Sequence, residues 1–186
     1  MARLLYVTNM SLDGYIEDED GSFDFGAPGD DYFELITDLI RPVGTYLYGR
    51  RLYEAMAVWE TEPDLASQSA LMADFANVWQ TAEKVVYSTT LDSLWTSNTR
   101  LERSFEPSEV KDLKDSAADD LMIGGADIAS QAFKAGLVDD CHLFVHPLIV
   151  GGGKKALPHS TRAHFELMAN HPFENGSIHL HYRVLH

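Results

Sequence analysis

Three short stretches of this 186-residue chain carry residue types suited to gripping an anion, and each follows an expected strand. Gly49-Arg50-Arg51, followed by Tyr53 and Glu54, places guanidinium groups beside a glycine, where they can fork onto a phosphate. Ser88-Thr89-Thr90 offers hydroxyls that either reach a ribose phosphate or cap the next turn. Gly124-Gly125-Ala126-Asp127 sits where a buried strand becomes a helix, so backbone amides and the helix dipole face any anion lying across the turn. Taken singly, each has a plainer reading: a tight turn without a ligand, a surface arginine at a helix start, a hydroxyl cap. The full G-x-G-x-x-G fingerprint is absent, which disfavours a conventional Rossmann domain. Two anion sites at successive strand ends imply a ligand with two phosphates, placed where open α/β sheets bind ligands.

Other signals are weaker. Gly151-Gly152-Gly153-Lys154-Lys155 looks like a phosphate loop, but Leu148 stands where the first glycine is required and Lys155 replaces the magnesium-holding hydroxyl. A hairpin bend or bulge is expected there. His142 with His146, and His179 with His181, have strand spacings that put each pair on a half-exposed face, so no metal is expected. Neither Ser11 nor Ser88 lies in the elbow of a hydrolytic nucleophile.

The elements that must position these residues alternate along the chain. Arg3 to Thr8 reads as a strand, and Asn9 to Asp30 as a long loop without apolar period, of the kind that is usually functional. A helix over Asp31 to Arg41 has Tyr32, Phe33, Ile36, Leu39 and Ile40 on one face and is stopped by Pro42. Then come a strand at Thr45 to Tyr48, a brief helix from Arg51, a helix over Ser67 to Gln80 and a strand at Lys84 to Ser88. The second half adds a strand at Thr99 to Glu102, a proline-started helix over Pro107 to Ser116, a strand at Leu121 to Ile123 and a helix from Gly124-Gly125 closed by Gly136. Asp140 to Val150, Ala163 to Ala169 and Ser177 to Leu185 have no helix between them and are expected to pair antiparallel at one edge.

Composition narrows the partners. A formal charge of −15 repels phosphate backbones, which argues against nucleic acid or an anionic membrane as partner. An anionic ligand therefore needs a local basic exception, and Arg50-Arg51 supplies one. No stretch has the length of a membrane span or the design of a signal peptide, so a cytoplasmic protein is expected. One cysteine, Cys141, excludes an internal disulfide and reads as a small buried hydrophobe, so redox chemistry must come from a cofactor. The length and absence of a linker fit one domain over residues 1–186.

In order along the chain, Met10-Ser11-Leu12-Asp13-Gly14-Tyr15-Ile16, Tyr48-Gly49-Arg50-Arg51-Leu52-Tyr53-Glu54, Ser88-Thr89, Ile123-Gly124-Gly125-Ala126 and His146-Pro147-Leu148-Ile149-Val150-Gly151-Gly152-Gly153 resemble the dihydrofolate reductase superfamily. The likeness is greatest to its bacterial branch related to the reductase domain of riboflavin biosynthesis. It implies a three-layer α/β fold, a mixed, mostly parallel central sheet with an antiparallel C-terminal hairpin, and commonly a homodimer. It also implies NADPH across the strand ends, with the Gly49-Arg50 turn, Ser88 and Thr89 on the adenosine-side phosphates and Gly124, Gly125 and Ala126 through Asp127 on the pyrophosphate; Arg51 is a further cofactor-binding candidate, and Asp127 reads as a helix cap rather than a ligand. The Ser11 to Gly14 loop would cover the nicotinamide and a small-molecule substrate, with Asp13 or an ordered water as proton source. The acid of true dihydrofolate reductases falls at Asp30 or Asp31, and Asp31 is the second catalytic candidate. The zinc deaminase signature of the bifunctional riboflavin enzymes is absent. The leading expectation is hydride transfer from NADPH to a small heterocyclic or other conjugated substrate. Its rivals are a nucleotide-binding protein without turnover and a flavin or other nucleotide in the same cleft.

Overall fold

The computed structural model describes residues 2–25 and 29–186. In chain order its main strands are β1 (Leu4–Ser11), β3 (Val43–Gly49), β4 (Glu83–Tyr87), β5 (Thr99–Glu102), β6 (Asp120–Gly124), β7 (Asp140–His146), β9 (His164–Pro172) and β10 (Ile178–Leu185). They form an eight-stranded sheet in the order β5-β4-β3-β6-β1-β7-β10-β9. The run from β5 to β7 is parallel, whereas β10 and β9 join antiparallel. This is the mixed, mostly parallel sheet with an antiparallel end that the resemblance implied.

Side chains alternate across the pleat, so each central strand feeds two cores. Leu4, Tyr6, Leu121 and Ile123 enter one cluster with Ile128, Ala129, Ala132 and Phe133 of α7 (Ala126–Lys134) and Val110 of α6 (Pro107–Ser116). Leu5, Tyr46, Tyr48 and Met122 enter the other, with Phe33, Ile36 and Ile40 of α1 (Asp30–Ile40) and Phe75 and Trp79 of α5 (Ala70–Thr81). Helices therefore cover both faces. Among the described residues, no helix is long and apolar enough to cross a membrane.

The structure corrects several expected boundaries. β7 ends at His146 rather than Val150, because Pro147 has no N–H to continue the ladder and Leu148 N folds back onto His146 O at 2.9 Å. The helix expected from Ser67 begins at Ala70, where the Ser69 hydroxyl accepts from Met72 N at 3.1 Å. Residues before it form two single turns, α3 (Val58–Thr61) and α4 (Pro63–Ala66), after α2 (Arg50–Met56). The loop expected from Asn9 is shorter: β1 runs to Ser11, and β2 (Tyr15–Glu17) pairs with β8 (Lys154–Lys155) inside the segment read as a hairpin bend. The part of that loop at 26–28 lies outside the described residues.

The histidines also differ from expectation. His142, His146 and His179 are buried, not half-exposed. The rings of His142 and His179 stack and join through Nδ1 and Nε2 at 3.0 Å, and His181 stacks on His142 while its Nε2 meets Asp140 Oδ1 at 2.8 Å. Hydrogen bonding and stacking among imidazoles make this burial tolerable. Among the described residues no cluster of three or more His, Cys, Asp or Glu is arranged to hold a metal.

Candidate active site

The three glycine and hydroxyl turns lie side by side, because β4, β3 and β6 are neighbouring parallel strands. Gly49 pairs with Tyr87, and Tyr48 pairs with Gly124, so the three carboxyl ends stop at the same level. Gly125 has φ +105°, a conformation that L side chains rarely adopt, and a Cβ there would fall 3.3 Å from Gly49 N. Gly124 is buried, and a Cβ on it would collide with the Leu52 side chain. Gly125 is the N-cap of α7 and no side chain caps the helix. The first backbone bond of that helix joins Ala129 N to Gly125 O, so the preceding amides have no intrahelical acceptor. With φ-permissive glycine and uncapped amides beside Gly49, and Arg50 and Arg51 following Gly49 in the chain, these residues fit a dinucleotide diphosphate.

The hydroxyl corner is divided in function. Ser88 is buried, and its Oγ accepts from Thr90 N and Leu91 N at 3.2 and 3.0 Å, which fixes the turn. Arg103, which lies in none of the sequence motifs, braces the same turn through Ser88 O and Leu91 O. Thr89 and Thr90 are exposed, and Arg50 Nη1 donates to Thr90 Oγ1 at 2.7 Å. Arg50 and Thr90 therefore form the outward-facing pair.

Each cation at the cradle has a carboxylate partner. Arg50 pairs with Glu54 at 2.9 Å, Arg51 with Glu17 at 2.7 Å, and Lys154 with Asp127 at 2.6 Å. Lys154 is brought there by the β2–β8 ladder, a tertiary event that its glycine-rich neighbourhood alone does not disclose. Glu17 to Gly21, Arg51, Gly153 and Lys154 line a recess of about 350 Å³ beside these pairs.

Asp13 and Asp31, the two acid candidates, are both engaged with backbone. Asp13 accepts from Val150 N at 3.2 Å and Gly151 N at 2.8 Å. The Ser11 hydroxyl, followed by those two amides, holds the Asp13 carboxyl below the usual carboxylate range, so it stands ionised at neutral pH. Asp31 accepts from Tyr32 N at 2.9 Å and Glu174 N at 3.3 Å, tying α1 to the β9–β10 turn. A different group gathers nearby. Asn9 of β1, Tyr32 of α1 and His146 of β7 are hydrogen-bonded together, and none was singled out as a site residue from sequence. Asn9, a polar residue at the end of an apolar strand, was the available signal.

The sheet order, the two helical layers and the turn-lined strand ends define a dihydrofolate-reductase-like protein. The model of the RibD C-terminal domain matches residues 2–176, and the chain belongs to that family. It is 24% identical over 193 residues to the uncharacterized protein YyaP of Bacillus subtilis, spanning 97% of this chain and 94% of that protein. Among solved structures, a putative riboflavin biosynthesis protein of Shewanella sp. PV-4 superposes with a TM-score of 0.75 at 18% identity, covering 100% of both chains. The dihydrofolate reductase of Enterococcus faecalis, solved with NADP(H), superposes with a TM-score of 0.66 at 13% identity over 98% of this chain and 96% of that one. Family and fold together mark a reductase-like oxidoreductase.

Proposed function

We propose that the chain is an NADPH-dependent reductase that transfers hydride to a small heterocyclic, pyrimidine- or pterin-like, or other conjugated substrate. The observation that carries this reading is the alignment of three glycine- or hydroxyl-bearing turns, one with two arginines, at the ends of β4, β3 and β6 inside a molecule of formal charge −15. NADPH bound across them supplies the hydride. Arg50, with Thr89 and Thr90, holds the adenosine-side phosphate; Gly49, Arg51, Gly124, Gly125 and Ala126 hold the pyrophosphate; Ser88 keeps the turn in shape.

Asp13 acts through position. Its ionised carboxylate pins Val150 and Gly151 and so fixes the strap over the cleft, which excludes water from the reacting edge. Asp31 holds α1 against the β9–β10 turn and thereby sets Tyr32. The homodimer implied by the family draws support from β9, an edge strand whose nine residues are all exposed, including Phe165, Leu167 and Met168.

Calorimetric titration with NADPH and NADH tests the cofactor; absence of affinity for both defeats the proposal. The ties on Asp13 and Asp31 favour, as a second reading, a nucleotide-binding protein without turnover. That reading predicts quenching of tryptophan fluorescence by NADPH with no oxidation across a broad substrate panel.

A further inference from the structure

α7 leads away from the cradle. It begins after Gly125, and at about 1.5 Å per residue its nine residues carry Lys134 about 13 Å off, toward the end of the sheet where the parallel strands start. Gly136 closes the helix at φ +67°, with Gly136 N on Phe133 O at 3.1 Å and Leu137 N on Ala132 O at 3.0 Å. β10 runs antiparallel to β7, so its last residues arrive at the same end, where Val184 N bonds Asp139 O at 2.8 Å. The helix end, the strand end and residues 161–163 enclose a recess of about 260 Å³.

The lining of this recess runs against the composition of the molecule. The chain has 29 Asp and Glu against 14 Lys and Arg, yet no acidic side chain lines the recess, whereas Lys134, Arg162 and His186 do. Among the described residues, the Lys and Arg side chains without an ion pair or hydrogen bond are Lys134, Lys155 and Arg162, and two of these meet here. A cation in the last turn of a helix suits its dipole, which accounts for Lys134 but not for Arg162. Thr161 also lines the recess, and its Oγ1 is buried without a hydrogen-bond partner, an arrangement that costs free energy until a partner is supplied. The remaining wall includes the buried side chains of Phe133, Val138 and Val184.

We propose that this recess is a second ligand site, separate from the cradle and independent of the reductase reading, which takes a small organic carboxylate with an apolar body of about one ring. Arg162 and Lys134 hold the carboxylate and the Thr161 hydroxyl donates to it. The ring lies against Phe133, Val138 and Val184. A cavity of about 150 Å³ is enough for benzene, so the recess has room for one ring and its charged group, and a dinucleotide is too large for it.

Benzoate titrated into the intact, isotope-labelled chain tests this, with benzamide as the neutral isostere and inorganic phosphate as a charge without the ring. Benzoate is expected to bind in the millimolar range or tighter, and at least about fivefold more tightly than either control. It should shift the amide resonances of Gly136, Val138 and Leu185 and leave those of Gly49 and Gly125 in place. Arg162→Glu, at an exposed position, should abolish the margin over benzamide. Thr161→Val, which deletes the hydroxyl at nearly constant shape, should weaken benzoate by about twofold to tenfold without lowering the melting temperature. Equal affinity for benzoate and benzamide, no binding at millimolar concentration, displacement of benzoate by NADPH, or unchanged benzoate binding by Arg162→Glu overturns the proposal. Titration with NADPH alone reports on the cradle, so the two sites stand or fall separately.

Discussion

Gly125 and Gly49 meet backbone to backbone: a Cβ on Gly125 would lie 3.3 Å from Gly49 N and 3.5 Å from its Cα. Two strand-end turns that are 76 residues apart in sequence thereby become one surface, and any side chain at Gly125 would wedge them apart. Gly125→Ala is expected to cost about 1–3 kcal/mol through its positive φ, and to weaken NADPH binding beyond what the loss of stability explains. Thermal melting and calorimetric titration on the same sample separate the two effects.

Arg50 reaches Thr90 across the cradle while its Nε remains with Glu54. A charge-assisted bond to phosphate contributes about 1.5–3 kcal/mol, so Arg50→Gln is expected to raise the Michaelis constant for NADPH by about tenfold to a hundredfold. The constant for NADH, which has no 2′-phosphate, should change little. Equal effects on the two cofactors would remove Arg50 from the 2′-phosphate side.

Glu17 holds Arg51 in an ion pair whose arginine is 64% exposed. An incoming pyrophosphate must compete with that carboxylate, but a solvent-screened pair is worth only about 0–1 kcal/mol. Glu17→Gln should therefore tighten NADPH by no more than about fivefold, with the gain shrinking as salt is raised. Titration at two ionic strengths measures it, and weaker binding in the variant would count against Arg51 as a pyrophosphate ligand.

The buried imidazoles make stability depend on pH. Burial first, then the charges of His181, His179 and Arg3, push His142 down to about 3 from an ordinary value of 6.5. Burial, then His181 and His171, push His179 down to about 4. Below pH 6.5 the unfolded chain takes up protons that these folded-state rings refuse, so stability is full above that pH and falls as the solution is acidified. The loss approaches about 1.4 kcal/mol per pH unit for each ring until its folded-state value is reached. Urea denaturation between pH 7 and 4.5 should show the decline, and His142→Phe should make it shallower.

The features legible in sequence were those written in local chemistry. Tyr32, Phe33, Ile36, Leu39 and Ile40 ahead of Pro42 gave α1 nearly to its ends, and Gly124-Gly125 marked the passage from β6 to α7. The order of the three strand-end turns was legible for the same reason, since glycine and arginine announce close backbone approach and charge. What is not legible in sequence depends on contacts between distant segments. β2 and β8 are three and two residues long, too short to show a period, yet their pairing brings Lys154 to Asp127. His142 and His179 looked like surface residues because an imidazole gives no local sign of stacking on another. Asn9 lies where β1 has run past β6 while still pairing with β7, an event encoded by neither strand alone.

The cross-ties around Asp13 join two segments separated by more than a hundred residues. Leu12 N bonds Leu148 O, Asp13 takes the amides of Val150 and Gly151, Tyr15 and Glu17 pair with β8, and Ala156 N bonds Gly14 O. Stitched at so many points, residues 12–17 and 148–156 form one mechanical unit, tied to the body through Glu17 on Arg51 and Lys154 on Asp127. A lesion in either segment is therefore expected to loosen both, however far it lies from the other in the chain.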